Sequence, residues 1–185
     1  MINTNLQSQG GASGAEGAAS RVLVLGIGNL LMQDEGIGIH AVRQLGSRYR
    51  LPENVELIDG GTSGLDLLPV IEDARRLIVI DALRCEAAPG TVVLFRNEEV
   101  PAFFRTKLSP HQVGLADVLA MLSFKGTAPA SVTLVGVVPS EMLVGMELTP
   151  VVSDSMDRLI ATVVDELTRS GVKCEPLPPS NPVDQ

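Results

Sequence analysis

The sequence predicts an α/β sandwich with a mixed, mostly parallel five-stranded sheet between helices. Short continuous apolar runs at Val22–Leu25 and Leu77–Ile80 read as buried strands, and Val132–Val138 as a further strand. Segments of helical periodicity alternate with them. One connection is too short to hold a crossover helix, which makes one strand antiparallel.

The first strand, Arg21–Leu25, ends at Gly26 and Gly28. Ile39, Val42, Leu45 and Tyr49 then recur at helical spacing and predict one buried face. Val55–Ile58 is a second strand, closed by Asp59-Gly60-Gly61. Thr62 or Ser63 caps a helix running to about Asp73, with a kink or early break at Pro69. The third strand, Leu77–Ile80, ends at Asp81. The fourth, Thr91–Phe95, follows after only Ala82–Gly90, so it is the antiparallel one.

Ser109-Pro110-His111-Gln112 then opens a helix. Ser109 is its N-cap, Pro110 its first residue and Gln112 the closing member of a capping box. Val113, Ala116, Leu119 and Ala120 form its buried stripe. Val132–Val138 is the fifth strand, and Thr149-Pro150 opens the last helix. Val152, Met156, Leu159, Val163 and Leu167 point inward along it, and Gly171 lies past its end.

The 185 residues fit one domain, expected at 21–174. Residues 1–20 are mostly Gly, Ser, Ala, Gln and Asn with little to bury, and read as a flexible tail. Residues 175–185 carry four prolines and read as a second, extended tail. A net charge of -8, without a basic cluster and with 3% aromatics, excludes a nucleic-acid binder. No apolar run has the length of a membrane span, and the N-terminus lacks a signal-peptide core. Cys85 and Cys174 form neither a disulfide framework nor a zinc motif, so the simplest setting is a reduced cytoplasm.

In such a sheet, ligands bind beyond the carboxyl ends of the strands. Gly26–Gly38, Asp59–Ser63 and Asp81–Gly90 reach that rim. Gly26-Ile27-Gly28 begins like a dinucleotide fingerprint, but Leu31 stands where its third glycine belongs. Glu35 is either an acid complementing the helix dipole, with Asp34 as N-cap, or a metal ligand. Asp81, at the end of a buried strand, needs a partner, either a backbone N–H or a cation. His111, at a helix start, is either a partly exposed residue or a neutral imidazole able to bind metal. His40 lies about 140° around the helix from Glu35, so it reads as a surface or packing residue. No nucleophile elbow is present: Gly61-Thr62-Ser63-Gly64 misplaces its second glycine, and Cys85 has no histidine in its segment. Two carboxylates and one histidine would make a three-ligand site with an open position.

Gly26-Ile27-Gly28-Asn29, Asp34-Glu35-Gly36-Ile37-Gly38, Asp59-Gly60-Gly61-Thr62, Asp81-Ala82 and Ser109-Pro110-His111 follow one another in order. Together they resemble the nickel–iron hydrogenase maturation endopeptidases, from about Arg21 to Gly171. The resemblance implies a sheet of order 2-1-3-5-4 with the fourth strand antiparallel. It implies that Glu35, Asp81 and His111 bind metal and carry the catalysis, and that Asp59, Gly60, Gly61 and Thr62 contact substrate. It further implies removal of a short C-terminal extension from the precursor of a hydrogenase large subunit. The metal it implies is nickel, supplied by the substrate's own nascent site. A nickel-sensing chaperone that binds this precursor without cutting it is the alternative.

Overall fold

A computed structural model describes residues 20–106 and 110–178, with 104–106 and 110–113 given by backbone alone. Most of the two expected tails and the Ser109 cap lie outside the described residues, as do the side chains of His111, Gln112 and Val113.

In chain order the elements are β1 (Val22–Ile27), α1 (Ile37–Arg48), β2 (Tyr49–Arg50), β3 (Val55–Gly61), α2 (Leu68–Ile71) and β4 (Arg76–Ala82). Then follow β5 (Val92–Arg96), α3 (Glu99–Thr106), α4 (Pro110–Lys125), β6 (Ser131–Val137), α5 (Pro150–Ser153), α6 (Met156–Arg169) and β7 (Glu175–Pro176). Single 3-10 turns, Gln33–Gly36 and Leu65–Leu67, precede α1 and α2.

The main sheet has the order β3-β1-β4-β6-β5, parallel except for β5. Counting its five strands along the chain, this is the expected 2-1-3-5-4 with the fourth reversed. The period of two divides each buried strand between two cores. Val22, Val24, Ile78 and Ile80 pack with α1 and α6, whereas Leu23, Leu25, Leu77 and Val79 pack under α2, α3 and α4. Each fully buried aliphatic side chain stabilises the fold by roughly 1.5–3 kcal/mol, so the two layers hold the sheet edges in register.

Several expectations are corrected. Tyr49 leaves α1 and becomes extended in β2, pairing with Pro176, while Leu177 N–H donates to the carbonyl of Arg48. Glu175 and Pro176, beyond the expected domain end, are thereby tied to the body. The helix after β3 stops at Ile71, because Pro69 opens it instead of kinking it and Asp73 turns the chain at φ +67°. Gly64, with no side-chain cap, precedes its 3-10 turn in place of Thr62 or Ser63. The buried stripe of α4 is Leu115, Val118 and Leu122, whereas Leu119 and Ala116 are half-buried and Ala120 is exposed. That helix is apolar nearly all round, so its periodicity cannot choose a face. The last helix breaks into α5 and α6.

One ion pair ties the antiparallel edge to the helical layer. Arg96 of β5 donates to both carboxylate oxygens of the buried Glu166 on α6, at 3.0 and 2.6 Å. The Arg96 guanidinium holds the Glu166 carboxyl below its usual range, with burial opposing it. A depressed folded value means the contribution is complete above the unfolded Glu range, near 4.3, and is lost as pH falls through the folded value. Glu166→Gln is expected to lose about 1–2 kcal/mol at neutral pH, discounted for the partly exposed arginine. Thermal melts should show the deficit shrinking as pH drops below about 4.

Candidate active site

Glycines in the first motif let α1 lie directly on the sheet. A Cβ on Gly38 would fall 2.2 Å from the carbonyl oxygen of Ile80 and 2.4 Å from that of Ile27. The start of α1 therefore rides in the crevice between β1 and β4. There β1 sends its connection towards β3, and β4 towards β6 and β5, which makes this the switch point where open α/β sheets bind ligands. Gly28, at φ +135°, faces the carbonyl of Glu35, where a Cβ would lie 1.8 Å away. Asn29 N–H donates to that same carbonyl at 3.2 Å. The loop after β1 thus folds back on the backbone of Glu35.

The turn carrying Glu35 packs against β4. Glu35 is half-buried and stands one residue before the Gly36 N-cap of α1, at the positive end of that helix. Asp81, second-last in β4, is wholly buried, and its Oδ1 accepts the N–H of Ala82 at 2.7 Å. Strand alternation puts Asp81 on the sheet face covered by α4, with Val79 and Leu83. His111 is the second residue of α4, as expected. Gly114, one turn on, meets Gly64 so closely that a Cβ would come within 2.6 Å of the Gly64 Cα. This contact seats the first turn of α4 on the loop after β3. Among the described residues no three His, Cys, Asp or Glu side chains gather into a metal-holding group, and the imidazole of His111 is not among them. As a donor set, two carboxylates and one imidazole suit a borderline divalent ion such as nickel.

The Asp59–Thr62 loop closes the same rim. The β1–β3 register slips so that Ile27 faces Gly61, and Gly60 bulges against Leu25 and Ile27. Gly28 N–H donates to Gly61 O at 2.9 Å, joining the loops after β1 and β3. The Asp59 carboxylate is already engaged, accepting from Arg43 at 2.9 Å and from Gly61 N–H at 3.1 Å. Thr62 is exposed. His40 is half-buried on α1 with its Nε2 enclosed and unbonded, and burial lowers its pKa. Cys85, a free thiol, lines a cavity of about 320 Å³ with Arg84, Pro139 and Met142.

The hydrogenase maturation protease family model HycI matches residues 39–166. The hydrogenase 2 maturation protease of Escherichia coli K12 is 46% identical over 157 residues, 84% of this chain and 96% of the relative. The hydrogenase expression/formation protein HupD of Rhodobacter capsulatus is 46% identical over 155 residues, 83% of this chain and 74% of the relative. The solved hydrogenase maturating endopeptidase HybD from E. coli superposes with a TM-score of 0.82 at 46% identity, covering 84% of this chain and 97% of that one. The chain belongs to the hydrogenase maturation protease family.

In this maturation protease Asp34 does not take the N-cap role that its place before α1 predicts; Gly36 holds that position. Asp34 is wholly buried, and its carboxylate accepts the N–H groups of Ser140, Glu141 and Thr149 at 2.8–3.0 Å, together with the Thr149 hydroxyl. The distant loop wins because it offers three otherwise unsatisfied N–H groups to one carboxylate. Both ends of the loop 140–149 are therefore pinned to the turn that carries Glu35. Gln33 in the same turn is held at φ +45°, with its N–H donating to Gly145 O at 2.8 Å. Sequence reasoning missed this loop. The one available signal was the apolar run Met142–Met146 standing between Glu141 and Glu147, outside any strand or helix pattern. Among the described residues, no helix of this protease is long and apolar enough to cross a membrane.

Proposed function

We propose that this maturation protease is an endopeptidase that removes a short C-terminal extension from the nickel-loaded precursor of a nickel–iron hydrogenase large subunit. The observation that carries the reading is the convergence at one crevice: the Glu35 turn lies on β4, and the buried Asp81 stands one residue before the end of β4. In this reading Glu35, Asp81 and His111 recognise the nickel that the substrate brings. Asp59, Gly60, Gly61 and Thr62, which close the rim, contact the precursor chain. The metal contributes Lewis acidity and a lowered water pKa. The protein contributes orientation: Glu35 is presented at the start of α1, and a rim tied by backbone hydrogen bonds holds the scissile segment still. No covalent intermediate is invoked, since neither Ser63 nor Cys85 has a histidine in its own segment to activate it.

Incubating the purified protein with nickel-loaded precursor, followed by intact-mass spectrometry, tests the reading. The expected result is a precursor shortened by one discrete C-terminal fragment. Stable complex formation with no mass loss would instead identify a nickel-sensing chaperone.

A further inference from the structure

The pinned loop presents an apolar ridge to solvent. Leu31, Leu143, Val144 and Met146 are 60, 63, 89 and 67% exposed. They come from two segments zipped together by backbone: Met32 bridges Gly145, and Gly145 N–H donates to Leu31 O at 3.0 Å. Leu143 N–H reaches the Gln33 side chain at 3.3 Å. A large apolar surface on an ordered backbone marks an interaction site, and its ordering entropy is spent before any partner arrives.

We propose that this ridge docks an apolar, positively flanked segment of the hydrogenase precursor beside the scissile bond. The proposal rests on the endopeptidase reading above. Continuity with the candidate site supports this occupant. Leu31 lies two residues before the turn that carries Glu35, and Asp34 fastens the ridge loop to that turn. Charge selects its chemistry. The two segments expose Glu141 and Glu147 and part of Glu35, with Asp34 buried beneath them, against one neighbouring cation, Arg84, whose guanidinium reaches the Met142 sulfur at 3.0 Å. Such a rim repels an anionic membrane surface or an acidic peptide and attracts a basic one. A second copy of this chain, itself at net charge -8, would bring more acid to the same place.

The test is the triple variant Leu143→Ser, Val144→Ser, Met146→Ser, with Phe124→Ser as control. Phe124 is 96% exposed on α4. With nickel-loaded precursor, the triple variant is expected to raise KM about tenfold or more while kcat stays within about twofold. Its Tm should match wild type, and Phe124→Ser should change neither constant. Added salt should raise the wild-type KM, because the rim charges steer the partner. Unchanged KM in the triple variant, with wild type cleaving normally, overturns the ridge and leaves the endopeptidase reading intact. If wild type binds precursor without cutting it, the same variants are read by precursor affinity. A tenfold loss then keeps the ridge, and no loss overturns it. Precursor that wild type neither binds nor cuts overturns it too. So does a wild-type dimer that the triple variant dissolves while KM stays unchanged.

Discussion

Gly38→Ala is expected to lower stability by about 3–5 kcal/mol, which at this size is a Tm drop of roughly 10 °C or more. The added Cβ would fall 2.2 and 2.4 Å from two carbonyl oxygens and 2.9 Å from the Ile27 nitrogen. All three are backbone atoms of β1 and β4, so no side-chain rotation relieves the clash. Helix α1 would have to lift off the sheet, uncovering Ile37, Ala41 and Leu45. Gly46→Ala in the same helix supplies the contrast. Its Cβ would meet only the Leu57 Cδ1, at 3.1 Å, on the half-buried edge strand β3. That methyl can yield, and alanine gains up to about 1 kcal/mol of helix propensity over glycine. Thermal melts should therefore move in opposite directions for the two variants. A Gly38→Ala protein melting within about 3 °C of wild type would show that α1 does not ride on the sheet as described.

The same glycines show how far the sequence could be read. Strand runs, the reversed fourth strand and the rim segments were legible because buried strands leave continuous apolar runs and short connections forbid crossovers. The first motif was legible as a tight exit from the strand. That Gly38 makes room for the β4 carbonyl of Ile80 was not, since the contact joins residues far apart in the chain. Asp34 fails for the same reason: its donors lie more than a hundred residues downstream, and next to a helix start a capping role looks sufficient. The face of α4 was hidden by a helix with apolar residues on every side. Tyr49 fits a helical stripe by spacing, but its pairing with Pro176 decides for strand. For the site, residue types and order indicated where chemistry would lie. The depth of Asp81 came only from packing: it is wholly buried, whereas Glu35 keeps part of its surface.

That difference makes Glu35 the sharper probe. Glu35→Gln keeps the shape and an acceptor oxygen, and its half-buried position limits any effect on folding. It removes the negative charge that a divalent cation requires. Losing a partner that merely orients a metal ligand already costs 10–100-fold, so loss of a ligand should slow processing by at least about a hundredfold, with Tm little changed. The direct measurement is the rate at which wild type and Glu35→Gln shorten the same nickel-loaded precursor, followed by intact mass, with nickel-free precursor as a third arm. Wild type should make one discrete cut in nickel-loaded precursor, with none in nickel-free precursor and none by the variant. Near wild-type cleavage by Glu35→Gln would contradict a metal-recognising role for this turn, and equal cleavage of nickel-free precursor would contradict nickel as the recognised element.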